Sequence, residues 1–554
     1  MQRTPRRLLT FCLAAIITSG CAEEAPVREP IDLLLHSGQI LVLDEADTRA
    51  QAMAVKDGRI VAIGANALAD RFAPTQSVDL EGKTVIPGFN DTHVHISGSA
   101  NFYIDLTKVS SIREMQALVR AKAETLPDGH WITGYGWSED ELEEGRKPVR
   151  TDLDAAAPDN PVMLTRAGAH SAVFSTTALA LAGVDASTPN PPGGEIERDD
   201  NGELNGIVRE AHDALTAHLI PNPSFAALNP SLKQTLTDLF ALGITSLTHA
   251  QSSIEEFRAW EALYETDGAA LPRAKVQIEW AGAEAMDAFG RRSGDGDNRF
   301  MVGPTKIFVD GGFTGPAAYT KAPYRGEDSY RGALTMTEAE LATIIQDAHE
   351  RGWQMGIHAI GDAAIELTVD LLVDALEARP RADHRHYLNH FTVTPSPATM
   401  DAMASNGIAI TQQPNFAYTL EGRYVDYLGG ERLAHNNPVA TPMKHGIHVA
   451  ISSDILPLGP WVGIYAAVTR RGMSGKVHGE SERISRIEAL RGYTARAAYL
   501  TFEEAQKGQL LPGMLADFVV LADNPLLVPE DELMNVRTAS TWLGGTRVYE
   551  AEAL

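Results

Sequence analysis

From about residue 232 to residue 454 the chain alternates short apolar runs with amphipathic stretches at helical spacing. This alternation constrains the fold more than any other feature, because strands separated by helices assemble into parallel α/β sheets. Leu232, Leu236, Leu239 and Phe240 share one helical face before a strand over 244–250. Thr337 with Glu340 forms a capping box, Leu341, Ile344, Ile345 and Ala348 follow at helical spacing, and Gly352 stops that helix before a strand over 353–358. Ser396-Pro397 starts a further helix, which Asn406-Gly407 ends before a strand over 408–413. Collected along the chain, the strands expected are 84–93 (broken at Pro87-Gly88), 244–250, 274–281, 305–310, 353–358, 386–391, 408–413 and 448–454. Eight parallel strands with crossover helices imply an α/β fold, a closed (β/α)8 barrel of the TIM type. An open doubly wound sheet is the alternative.

Two β-rich ends flank this middle. Near the N-terminus, Asp57-Gly58 lies between two alternating apolar runs and signals a hairpin; near the C-terminus, Gly544-Gly545 does the same. The expected organisation is a small β-sandwich from 31–87 and 505–554, and a barrel over 88–504 with a long insertion, 97–230, after its first strand.

The first residues read as a targeting segment. Arg3, Arg6 and Arg7 precede an apolar run over 8–17, too short to span a bilayer, which needs ~20 apolar residues. Thr18-Ser19-Gly20-Cys21 resembles the lipobox of bacterial lipoproteins, with Thr18 where Leu is usual. The expectation is a signal peptide over 1–20, lipid on Cys21 and a tether over 21–30, placing the protein at a bacterial cell envelope facing the periplasm. An ordinary cleaved signal peptide is the alternative. Removal of 1–20 would leave Cys21 as the only cysteine, which lipidation accounts for and which excludes a disulfide within the mature chain. The net charge of −26 is spread along the chain, which argues against a nucleic-acid partner. Membrane contact is expected through the lipid alone, and a homodimer is left open.

The chemistry-bearing residues fall at the ends of the expected strands. His93 and His95 are two apart on a strand and face one point. His358, His390 and Asp454 end later strands, and active sites of such barrels gather at those ends. Neutral imidazoles with a carboxylate suit a divalent transition metal such as zinc. Each residue alone has a plainer explanation: a satisfied structural His, a helix cap for Asp454, a surface charge for Lys306. Their coincidence in order is what points to a metal shell.

The chain resembles the amidohydrolase superfamily, in its branch of YtcJ-like and N-substituted formamide deformylase-like proteins. The resemblance rests on Pro87-Gly88-Phe89-Asn90-Asp91-Thr92-His93-Val94-His95, Lys306 with Asp310-Gly311, His358-Ala359-Ile360-Gly361-Asp362, Asn389-His390 and Ser453-Asp454. It implies that His93, His95, Lys306, His358, His390 and Asp454 bind one or two metal ions, and that Asp454 is the general base. It also implies that Lys306 is carboxylated when two ions are bound; a single ion with unmodified Lys306 is the alternative. Arg166 and His170 are candidates for substrate contact, and His249 for lining the site. Trp137, Trp280, Tyr319 and Gln413 are expected to form an apolar pocket. The implied reaction is hydrolysis of a non-peptide amide, N-acyl or N-formyl bond of a small molecule, with a metal lowering the pKa of water toward ~7 and Asp454 taking its proton. A cyclic amide, an ester or a deamination substrate would use the same centre, and a catalytically silent surface lipoprotein is the reading from another class.

Overall fold

A computed structural model of the chain describes residues 28–552 apart from 140, 168–170, 192–193, 210–211 and 314–315. The leader, Cys21 and His170 therefore lie outside the described residues. At the centre is an eight-stranded parallel sheet: β1 (Phe89–Val94), β2 (Ile244–Ser252), β3 (Arg273–Glu279), β4 (Phe300–Phe308), β5 (Met355–Ala359), β6 (Tyr387–His390), β7 (Ala409–Gln412) and β8 (Val449–Ile451). The strands neighbour one another in chain order, so the sheet curls round until β8 returns to β1. There the Asp454 N–H donates to the His93 carbonyl (2.9 Å) and one parallel bridge joins Val94 to Asp454, making an almost closed barrel. Among the described residues no helix is long and apolar enough to cross a membrane.

The helices that follow the strands stand where the capping residues predict. Thr337 accepts from the Glu340 N–H while Glu340 reaches back, opening Glu338–Glu350; Ser396 caps Pro397–Asn406, which ends at Gly407 with φ +68°. Their apolar faces, including Leu341, Ile345, Met400 and Met403, pack on the outward faces of the strands in one continuous core. Each such side chain, fully withdrawn from water, contributes roughly 1.5–3 kcal/mol.

One expected strand divides. Residues Thr84–Pro87 pair antiparallel with Phe518–Leu521, whereas Phe89 onward joins the barrel. The change occurs at Gly88, where a Cβ would lie 2.1 Å from the Thr245 side chain, so only glycine lets the two strands approach. Another expected strand is longer than its sequence signal. Gly303-Pro304 reads as a breaker, yet β4 begins at Phe300, which puts Lys306 near its C-terminal end rather than at its start.

The chain ends build two further sheets. One orders Arg59–Gly64, Ala52–Lys56, Glu29–His36 and Phe72–Asp79; the other joins four C-terminal and N-terminal segments around Thr84–Pro87 and Phe518–Leu521. Leu33, Leu35, Met53 and Val55 of the first share a core with Ile40, Val85, Phe518 and Trp542 of the second. Both expected hairpins form, with Asp57-Gly58 and Gly544-Gly545 all at positive φ, the backbone that two-residue turns between strands demand. Between β1 and β2 the insertion forms its own six-stranded sheet with two cores of its own.

Candidate metal centre

At the C-terminal mouth of the barrel, three histidines converge on Asp454. His93 Nε2 lies 3.7 Å from Asp454 Oδ2, His95 Nε2 3.8 Å from Oδ1, and His390 Nδ1 3.9 Å from Oδ2. His93 and His95 come from the end of β1, as their two-residue spacing predicts, and their rings stand 5.4 Å apart. His390 ends β6, and His358, near the end of β5, packs 4.5 Å from it, ring to ring. His93, His390 and Asp454 offer ligand atoms within 4.8 Å of one another. His390 and Asp454 both adopt left-handed backbone (φ +76° and +57°), which costs an L-residue energy and aims the side chain inward at the strand end.

Neighbouring polar groups orient the rings. Asn389 Oδ1 accepts from His93 Nδ1–H (2.7 Å), and Gln413 Oε1 accepts from His390 Nδ1–H (2.8 Å). Gln413 is itself held by donating to the Ser452 hydroxyl (2.7 Å). For His93 that bond leaves the far nitrogen, Nε2, with its lone pair. His93 Nε2 and His358 Nε2 are buried and have no hydrogen-bond partner. Orphaned buried acceptors cost roughly 1–3 kcal/mol each and so call for a ligand.

The electrostatics favour neutral rings. Burial, and next the Lys306 charge, hold His93 well below the ordinary imidazole range, bring His358 down to about 3 and His95 to about 4. His390 is also well below, through burial and its neighbour His358. Burial lowers the Lys306 ammonium, partly offset by Asp454 and Glu279, and raises the Asp454 carboxyl, partly offset by Lys306. Neutral imidazoles with free lone pairs beside a carboxylate are the donor set that a divalent metal takes, and these residues fit one.

Two acids that sequence reasoning passed over support the centre. Asp91, on β1 two residues before His93, accepts from the Ser453 N–H (3.1 Å) and hydroxyl and from the His93 N–H (3.4 Å), so it ties the end of β1 to the segment that follows β8. Asp310 accepts from the N–H groups of Tyr319, Ile360 and Gly361 and lies 3.8 Å from His358 Nε2. Burial pushes both carboxyls up to about 7. Asp91 shares the period-2 face of His93 and could have been found from that; Asp310 needed the loop that folds over it.

The remaining expected residues are placed as follows. Lys306 is buried beside the Phe308 ring (4.7 Å). His249 is buried on β2, stacked on Trp260 at 4.8 Å, with Nδ1 accepting from the Ile96 N–H (3.1 Å). That bond puts the ring proton on Nε2, which makes His249 a donor rather than a ligand. Arg166 donates to Glu139 (2.7 Å) inside the insertion. Trp137 is not a pocket residue. It is fully buried in the insertion's own core and donates to the Leu164 carbonyl (2.9 Å), because its strand turns that side chain inward. Gln413 is likewise engaged with His390 rather than with a pocket wall, and Trp280 and Tyr319 pack against the outer barrel core. The cavity that does open on the centre, about 220 Å³, is lined by His95, Lys306, His358 and Asp454 together with apolar side chains such as Phe308, Phe313, Phe416 and Leu420.

Comparisons with known proteins identify the family and the fold. The model of the amidohydrolase family covers residues 76–549. The chain is 29% identical over 532 residues to YtcJ of Bacillus subtilis (strain 168), spanning 93% of this chain and 99% of the relative. It is 28% identical over 548 residues to the N-substituted formamide deformylase of Arthrobacter pascens, spanning 94% and 98%. Among solved structures, a metal-dependent hydrolase from Pyrococcus horikoshii OT3 superposes with a TM-score of 0.70 at 24% identity, over 90% of this chain and 99% of that one. With most of its length covered by the family model, this chain belongs to the amidohydrolase family and is a hydrolase acting on carbon–nitrogen bonds.

Proposed function

We propose that the protein hydrolyses a non-peptide amide, N-acyl or N-formyl bond of a small molecule, at a centre where His93, His95, Lys306, His358, His390 and Asp454 hold one or two zinc ions. The observation that carries this reading is the buried, partnerless Nε2 of His93, pinned lone pair inward by Asn389, beside His390 and Asp454. A divalent cation there supplies Lewis acidity, polarising the carbonyl and making water acidic enough to react near neutral pH. The Asp454 carboxylate takes the proton of the attacking water and returns it to the leaving nitrogen as the carbon–nitrogen bond breaks. Lys306, whose buried ammonium is disfavoured, gives up its proton and carries CO2 as a carbamate when two ions are bound. His249 and Arg166 bound the substrate's path.

On this reading the two terminal sheets, 31–87 and 505–554, form one β-sandwich beside the barrel of 88–504. Lipid on Cys21 anchors the enzyme in the envelope with the barrel in the periplasm; Cys21→Ser should then release it from membranes in a fractionation experiment. Amine release from a panel of N-formyl and N-acyl amines, before and after chelation and zinc return, tests the chemistry. Turnover that disappears with chelator and returns with metal is expected. Turnover indifferent to chelator, or restricted to esters, overturns the reading.

A further inference from the structure

The lining of the cavity includes polar groups that the hydrolytic chemistry does not use. Thr392 and Tyr424, both almost fully buried, line it among the apolar side chains. The Tyr424 ring is wedged edge-on against Phe313 at 5.4 Å, which fixes its direction. Behind them sits Asn437, wholly buried and in left-handed backbone (φ +42°), its N–H bonded to the Thr392 carbonyl (2.7 Å). The Asn437 side chain lies near enough to the Tyr424 hydroxyl to act on it, as does that of Thr392, yet neither Asn437 Oδ1 nor Nδ2 closes a hydrogen bond. A buried amide with both ends unpaired is expensive unless something satisfies it.

The segment is held on purpose-built supports. Arg470, itself buried, donates to the Asn436 carbonyl (2.7 Å), the Asn437 carbonyl (3.0 Å) and the His478 carbonyl (3.1 Å). Its charge is offset by Glu482, which accepts from the Val439 and Thr441 N–H groups. With the Arg470 charge compensated, this part of the lining offers neutral hydroxyls, those of Tyr424 and Thr392, each able to give and to receive a hydrogen bond with a neutral partner.

We infer that Tyr424, Thr392 and Asn437 form a second, polar subsite that binds a neutral hydroxyl or amide group at the end of the substrate's substituent, remote from the bond that is cut. Tyr424 and Thr392 touch that group, and Asn437 is a positioning residue that orients the Tyr424 hydroxyl. The inference rests on the amide-hydrolase reading for its substrate but not for its binding site.

A matched pair tests it: N-formyl-tyramine against N-formyl-phenethylamine, which differ only in one hydroxyl. The expected kcat/KM ratio is at least about tenfold in favour of the hydroxylated compound, carried by KM, since a site built to bond a hydroxyl rejects its absence. In Tyr424→Phe the ratio falls to about one, and in Asn437→Ala it falls part of the way; a merely structural role would lower both substrates together and leave the ratio intact. A second arm needs no turnover: calorimetric binding of p-cresol against toluene to the metal-loaded protein, with the same preference and the same loss in Tyr424→Phe. If neither amide is cleaved but the cresol preference stands, the amide reading fails and the subsite survives. A ratio near one in wild-type protein in both arms, as when ordered water satisfies Asn437, or a ratio unchanged in both variants, overturns it.

Discussion

The two ends of the barrel bury the same kinds of side chain and treat them in opposite ways. At the floor, where strands begin, every ring nitrogen of His349, His384 and His386 has a partner: His349 with His386 (2.9 Å) and the Arg379 carbonyl (2.7 Å), His386 also with the Met355 N–H (3.1 Å), His384 with the His386 N–H (2.9 Å) and the Asn406 carbonyl (2.7 Å). Charges there are matched as well, Arg273 with Asp517 (2.6 Å) and Glu503 with Lys507 (2.7 Å) and Lys275 (3.4 Å). At the mouth, His93 and His358 keep buried nitrogens unpaired, and His390 and Asp454 sit in strained backbone. A fully satisfied histidine cluster adds stability and specifies the fold, whereas imidazole nitrogens left open are held so by the surrounding structure.

The contrast can be broken from either end. The largest effect belongs to the mouth: Asp454→Asn should lower kcat by about 10²–10⁴-fold even at saturating metal while melting temperature changes little, read by kinetics and metal analysis on one preparation. Full activity would remove Asp454 from its role as base.

Next comes the floor. Glu503→Gln leaves two buried lysines short of their counter-charge and should cost about 3–5 kcal/mol in urea unfolding, with kcat of the folded fraction kept. Burial would raise this carboxyl, but Lys275 and Lys507 outweigh it and bring it down to about 2. A carboxyl lowered on folding contributes stability above its unfolded pKa of ~4.3, and loses it as pH falls toward the folded value. The gap between wild type and Glu503→Gln should therefore be full at pH 7 and shrink as pH falls from about 5 toward 2; a gap independent of pH would refute the assignment.

Asn389→Ala tests whether the mouth is oriented from behind. Without its bond to His93 Nδ1, metal affinity should fall about 10–100-fold, while the metal-free protein unfolds as before. A competition titration against a chelator measures this, and unchanged affinity would show that packing alone aims the ring. The smallest effect on function is expected from Trp137→Phe, roughly 2–4 kcal/mol of stability from one lost buried hydrogen bond and the cavity left behind, and no change in kcat/KM. A specific loss of kcat/KM there would return Trp137 to the substrate pocket.

Much of the site was legible because its residues stand at strand ends, where a period of two and a breaker just beyond mark position without any knowledge of partners. His93, His95, His358, His390 and Asp454 were readable in this way, and all are found at the mouth. Asp310 was harder: its three N–H donors come from two loops, one nine residues away and the other about fifty. Trp137 misled because an aromatic residue on an insertion strand looks the same whether its face meets a pocket or a core.

Local sequence alone therefore determined most of the barrel's elements: which runs are strands, where helices are capped, and that a strand breaks at Pro87-Gly88. Only the tertiary structure decided which buried nitrogens are satisfied and which are left open. Hydrophobic periodicity and capping act over a few residues, but a hydrogen bond such as that from His93 to Asn389 joins positions 296 residues apart, and no local pattern records it.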